Sequence, residues 1–187
     1  MTASKIRAPG NNYIFPGKVL DEKREEKAYL IKAIEETTGR KIHKTEELFT
    51  FPKMKSINFH ECIDHKPYFV LLVRLANDNI IVGYSEDELA KGEKAVKTNK
   101  GFIGSLTNKT FFTLKKNNPK AKVILYKEFF IEFGNSELKI KCEENKVSSN
   151  LGSANKYFNT GTNSNPKILF GNSEREAELK FYEVHQV

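Results

Sequence analysis

From Pro67 onward the sequence is a succession of short apolar runs, each followed by residues that favour turns. Residues 68–75 form a strongly apolar run, Asn77-Asp78-Asn79 supplies a turn, and residues 80–84 follow as a second run. Together they predict a β-hairpin. Residues 102–106, 111–114 and 122–126 are further β-rich runs. Residues 129–133 and 137–142 flank Gly134-Asn135-Ser136, a second hairpin signal. Residues 178–187 carry β-prone side chains again. Regularly spaced short strands with turn chemistry between them predict a mainly β (α+β) chain: a two-sheet antiparallel β-sandwich with a few short helices. Residues 143–164 are polar and rich in Ser, Asn and Gly, and read as a long irregular excursion.

The N-terminal part follows a different pattern. Residues 1–20 hold Pro9-Gly10, Asn11-Asn12 and Pro16-Gly17, which oppose regular structure and predict an extended arm. Tyr13, Ile14 and Phe15 form an apolar cluster inside it, expected to anchor the arm against either its own domain or a partner, with partner contact depending on the arm and the fold tolerating its loss. Residues 21–47 read as a helix and a linker. Asp21 is the expected N-cap and Gly39 the residue just past the helix end. The apolar stripe through Ile31 and Ile34 is narrow, so the helix is expected to pack on the edge of the domain. The domain itself is expected over 48–187. At 187 residues, the chain has room for one domain and a short appendage.

Composition narrows the function classes. No apolar run approaches the roughly 20 residues of a membrane helix, so no membrane insertion is expected. Cys62 and Cys142 stand far apart with no secretion signal ahead of them, which predicts reduced thiols and a cytoplasmic location. The net charge of +7 comes mostly from lysine, with arginine only at Arg7, Arg24, Arg40, Arg74 and Arg175. Readers of nucleic acid lean on arginine, so the charge reads as a solvated lysine surface and nucleic acid is not the expected partner.

Candidate chemistry is sparse. His60, Cys62 and His65 crowd together, but structural zinc sites close with four ligands, usually from two close pairs. His43 and Cys142 are the available completers and neither belongs to a pair. Residues 57–64 read instead as a short helix with Phe59 and Ile63 facing the core, and no metal is expected. Ser105 and Ser149 lie in no nucleophile elbow. The two glycines of Gly101-Phe102-Ile103-Gly104-Ser105 lack the Lys-Ser/Thr ending of a phosphate loop. The adjacent carboxylates Glu46-Glu47 and Glu143-Glu144 diverge on a strand. No catalytic residue, cofactor or small-molecule substrate is expected.

Taken in order, several segments resemble the TLDc family, the domain of oxidation-resistance proteins. Phe59-His60-Glu61-Cys62 and Asp64 resemble its short helix ahead of the first hairpin, and Ile81-Val82-Gly83-Tyr84 its second strand. The tract from Gly101 through Phe102, Ser105, Leu106, Thr107 and Asn108 to Phe111-Phe112-Thr113-Leu114 resembles the family's strongest motif. Phe133-Gly134, Ser149-Asn150-Leu151-Gly152, Phe170-Gly171 and the closing Tyr182-Glu183-Val184-His185-Gln186-Val187 resemble later steps. There are departures. The chain has no tryptophan where the family has one after the Gly-Tyr hairpin, and Leu89 is the nearest equivalent. Val82 replaces a glycine, Gly104 a large apolar residue, and Phe181 the first of two closing acids, leaving Glu183 as the second.

The resemblance implies the same sandwich and no enzymatic chemistry. It implies a protein-interaction module docked on a large assembly such as a V-type ATPase; a structural subunit of a cytoskeletal or ciliary complex is equally expected. The alternative is a protector against oxidative stress with a redox-active cysteine. The residues expected to hold the fold are Gly83, Tyr84, Phe102, Ser105, Leu106, Asn108, Gly134, Gly152 and Gly171, with Gly83 and Gly134 at or beside hairpins. Partner contact is expected at Tyr13, Ile14, Phe15 and Glu183. Glu183 reads either as a solvated side chain or as an edge residue meeting a basic group. Alternation along the strand puts Leu179 and Phe181 on its face, and Tyr182 and Val184 on the other.

Overall fold

The computed structural model describes residues 14–54, 59–88, 96–98, 100–115, 121–126, 130–141, 144–151, 157–159, 165, 167–172 and 174–187. Among these are eleven strands, every paired neighbour antiparallel, and three helices. The first strand is β1 (Glu46–Phe51), followed by β2 (Phe69–Leu75), β3 (Ile80–Ser85), β4 (Val96–Thr98), β5 (Gly101–Ser105) and β6 (Thr110–Thr113). Next come β7 (Ala121–Tyr126), β8 (Phe130–Phe133), β9 (Leu138–Lys141), β10 (Lys146–Ser148) and β11 (Glu176–Gln186). The helices are α1 (Arg24–Thr38), α2 (Phe59–Ile63) and α3 (Lys167–Phe170).

The strands form one path that forks at β11. One side of β11 pairs with β2, which leads on to β3, β5 and β6. The opposite side pairs first with β10 through residues 176–178 and then with β1 through residues 182–186. From β10 the path continues through β9, β8 and β7 to β4. The β8–β9 branch folds back over the β2–β3–β5 branch. Ile131, Phe133, Leu138 and Ile140 meet Phe69, Leu71, Ile81 and Ile103 in one shared core. The sandwich expected from the sequence is present.

The β2–β3–β5 layer is apolar on both faces. Successive residues on a strand point to opposite sides, so Phe69, Leu71 and Val73 enter the inner core while Val70 and Leu72 enter a second, outer one. This is why the run Phe69-Val70-Leu71-Leu72-Val73 shows no polar alternation: a strand covered on both faces has no polar face to present. The outer cover is α1 and the segment before it. Leu30 and Ile34, one turn apart, join Phe15, Val19 and Leu20 against Val82, Tyr84 and Phe102. Full burial contributes roughly 1.5–3 kcal/mol for each such side chain. The helix therefore lies over the face of the layer, not on the domain edge. Its stripe is narrow because the preceding segment supplies the rest of the cover.

Local details differ from expectation for identifiable reasons. α1 starts at Arg24 with Lys23 at the cap position and no side-chain cap, while Asp21 lies in the turn before it. Glu25 and Glu26 supply first-turn negative charge instead. Gly39 ends the helix as expected, at φ +74° with its N–H donating to the Glu35 carbonyl. β1, β4 and α3 were not anticipated, and β10 lies inside the stretch expected to be irregular. Gly83 is not at a hairpin. It sits mid-strand, paired with Leu71 and Ile103, where a Cβ would come within 2.5 Å of the Phe133 ring across the sandwich. Gly134 does occupy its turn, at φ +72°.

Candidate functional site

A cluster of polar side chains lies beneath the segment 14–20, a strap that precedes α1 and packs on the outer core. The local cause is a β-bulge in β11 between Leu179 and Phe181. One extra residue resets the alternation, so Leu179 joins Tyr182 and Val184 in the inner core. Phe181 lies in the outer core, and Glu183 and His185 pair with Leu72 and Val70, which face the same way. The expected sharing of a face between Leu179 and Glu183 is thus corrected. β11 is also internal, flanked there by β1 and β2, so Glu183 is neither solvated nor at an edge; its exposure is 0%.

Glu183 is held by the domain's own backbone. The strap residues Lys18 and Val19 both donate their N–H groups to Oε1, the second at 3.2 Å. His185 Nε2 donates to Oε2 at 3.2 Å. Gly17 passes so close that a Cβ there would collide with the carboxylate. Phe15 fixes the strap twice more. Its N–H donates to Thr45 Oγ1 at 2.6 Å, and its ring stands edge-on to the His185 imidazole at 5.3 Å. Burial lowers the pKa of Lys27, opposed by the negative charges of Asp21 and Glu183. A buried polar group is costly to the fold unless such donors satisfy it.

The neighbouring strand adds a third ligating group. Glu47 pairs with His185 in the β1–β11 ladder, and one donor atom from each of Glu47, Glu183 and His185 lies within 4.8 Å of the others. Two carboxylates and an imidazole are a donor set that divalent ions such as zinc or manganese accept. Both Glu183 oxygens already serve the strap and His185, however. His185 Nδ1 has no hydrogen-bond partner among the described residues. Sequence reasoning missed Glu47, Thr45 and His185. The spacing of two between Glu183 and His185 was the available signal, since it places them on one strand face.

The sequence candidates are distributed elsewhere. The structure does not bring His60, Cys62 and His65 together: His60 Nδ1 bonds Asp64 at 3.1 Å, and His65 approaches Glu88 at 3.8 Å. Phe59 and Ile63 face the core as expected. Cys62 is a free, half-buried thiol whose pKa is raised by burial and by Glu61, which opposes the thiolate a redox role needs. Ser105 is buried and accepts the Asn108 N–H at 3.1 Å. Ser149 Oγ donates to the Glu137 carbonyl at 2.6 Å and accepts the Leu151 N–H.

The remaining motif residues lock loops to one another. Asn108 Nδ2 donates to the Ile168 carbonyl at 2.6 Å, tying the β5–β6 turn to α3. Asn77 and Asn79 both donate to the Phe170 carbonyl at 2.8 Å, and Gly171 follows at φ +77° with no room for a Cβ beside Asn79. Tyr84 stacks on Phe102, and Leu106 lies in the same outer core. Gly134 abuts the buried carboxylate of Glu137, which accepts the N–H groups of Tyr157 and Phe158 at 3.1 Å. Burial nonetheless raises the Glu137 pKa. Ile14 and Phe15 are buried in the outer core. Tyr13, Cys142 and Gly152 lie outside the described residues.

The sequence profile of the TLDc domain matches residues 23–187. The chain belongs to the TLDc family. No curated protein gives a significant match to it. As a TLDc protein it is related to the oxidation-resistance proteins. The matched span of the TLDc domain takes in α1 and β1, so the helix belongs with the sandwich it covers. The strap amides that hold Glu183 come from Lys18 and Val19, ahead of the matched span.

Proposed function

We propose that this TLDc domain is a non-catalytic interaction module that docks on a larger protein assembly. The observation that supports it most is the state of Glu183. The acidic group with the clearest functional promise in the sequence is fully buried and bonded to the domain's own strap and to His185. Ser105, Ser149 and Glu137 are likewise engaged in holding turns. These polar groups organise a surface rather than a reaction centre. The peripheral sector of a V-type ATPase, or a cytoskeletal or ciliary complex, is the kind of assembly the reading implies, with a cytoplasmic location. No described helix is long and apolar enough to cross a membrane.

Native co-purification of the tagged full chain tests this reading. The expected result is co-elution at the size of one assembly, with its subunits in fixed ratio by mass spectrometry. Elution at the 21.4 kDa of the free chain from every native lysate would overturn it.

A further inference from the structure

The end of α1 and the segment after it form a cleft over the outer face of β2 and β3. The cleft holds about 210 Å³. Its rim is the basic run Arg40, Lys41, His43 and Lys44, all exposed. Its walls are apolar, from Ile34, Ile42 and Val187. Tyr84 lines it from within. This tyrosine is 0% exposed, and its hydroxyl has no hydrogen-bond partner among the described residues. A buried unpaired hydroxyl is costly to the fold, so the position calls for an acceptor from outside.

We propose that this cleft receives a carboxylate side chain from an acidic peptide segment of a partner protein, the acid accepting from the Tyr84 hydroxyl and pairing with Arg40. The proposal rests on the docking reading above and specifies its surface. Several features fit a carboxylate on a short methylene stem. The volume is below the ~300 Å³ at which pockets for whole small molecules begin. Arginine meets a carboxylate through two parallel hydrogen bonds. The Arg40 guanidinium rests 4.6 Å over the ring of Tyr68, which lines the same cleft. Lys41 already shows the pairing at the rim, 2.7 Å from Glu35. Burial, aided by the negative charges of Glu86 and Asp87, holds the Tyr84 pKa well above the usual value, so the hydroxyl stays a donor. Glu86 is itself engaged by Lys100 at 3.7 Å.

Tyr84→Phe removes the hydroxyl without changing charge. The assay is fluorescence anisotropy of fluorescein-labelled hexaglutamate against the purified full chain, with labelled hexalysine as control. Wild type binds hexaglutamate and not hexalysine. Tyr84→Phe weakens binding about tenfold, the loss expected for a hydrogen bond to a charged acceptor, and leaves Tm unchanged or higher. Arg40→Gln weakens binding by at least as much. Equal binding by wild type and Tyr84→Phe means that surface lysines alone hold the probe, and overturns the proposal. A lower Tm in Tyr84→Phe means that the fold uses the hydroxyl, and overturns it too. Binding of a phosphoserine peptide in preference to hexaglutamate overturns the carboxylate assignment. A wild type that co-purifies with an assembly but ignores hexaglutamate refutes the cleft and spares the docking reading. One that binds through Tyr84 but co-purifies with nothing refutes docking and spares the cleft.

Discussion

Replacing Glu183 with alanine should loosen the strap and destabilise the whole domain. The substitution removes the acceptor of two backbone N–H groups, Lys18 and Val19, and of the His185 imidazole. A buried donor left without an acceptor costs about 1–3 kcal/mol, so the two amides together set a range of about 2–6 kcal/mol. The strap has an alternative: it can peel away and let water satisfy the amides. That exposes Phe15 and Val19, both 0% exposed in the fold, at about 1.5–3 kcal/mol each. The two routes cost similar amounts, so the range stands whichever the molecule takes. For a domain of this size it corresponds to a Tm lower by roughly 5–20 °C. Thermal melts followed by circular dichroism measure the loss. Hydrogen exchange at the Lys18 and Val19 amides locates it, because they lose their protection before the sandwich strands do. Deleting residues 1–17 should lower Tm for the same reason, which reverses the expectation that the fold tolerates loss of the arm. If Glu183→Ala melts with wild type and both amides stay protected, the clamp reading is wrong.

Other outcomes follow from packing and charge. Gly83→Val should cost about 1–3 kcal/mol through collision with Phe133. Chemical denaturation of the double variant with Phe133→Leu should recover part of that loss; strict additivity would show that the two do not meet. Burial raises the Glu137 pKa, so the folded state holds this proton to higher pH than the unfolded chain. Its contribution favours folding below the ordinary carboxylate value and is lost as pH climbs through the raised one. Melts across that interval should show a decline in wild type that Glu137→Gln removes, and parallel profiles would contradict the assignment. Elemental analysis of purified protein should find less than one zinc per chain, because the Glu183 oxygens are occupied. Stoichiometric zinc that disappears in His185→Ala would refute this.

The hairpins were legible because their turns use residues suited to left-handed backbone, Asp78 at φ +64° and Gly134 at φ +72°. Gly39 marked the helix end for the same reason. β4 and β10 were not legible. Each has three residues, and in Lys146-Val147-Ser148 only Val147 is buried, so neither run is long enough to show a period. The bulge in β11 had no sequence mark, and it reversed the face assigned to Leu179. The polar cluster was half legible. Glu183 carried a signal, and His185 two residues on shares its face, but the strap amides and the neighbouring Glu47 of β1 come from segments far away in the chain, and such pairing is set by tertiary packing, not local pattern.

The fork at β11 has a consequence for how the domain comes into being. Both branches of the sandwich converge on the strand that comes last in chain order. β2–β3, β5–β6 and β7–β8–β9 pair strands that are neighbours in the chain, whereas β3 reaches β5 across residues 86–100, which carry β4 of the other branch. Among the described residues, β1 pairs only with β11, and β10 joins the first branch only through it. During synthesis both half-built sheets therefore wait with unpaired edges and uncovered apolar faces until this segment emerges, the condition in which nascent chains aggregate or recruit chaperones. β11 works as a keystone: among the described residues it alone joins the two branches by strand pairing.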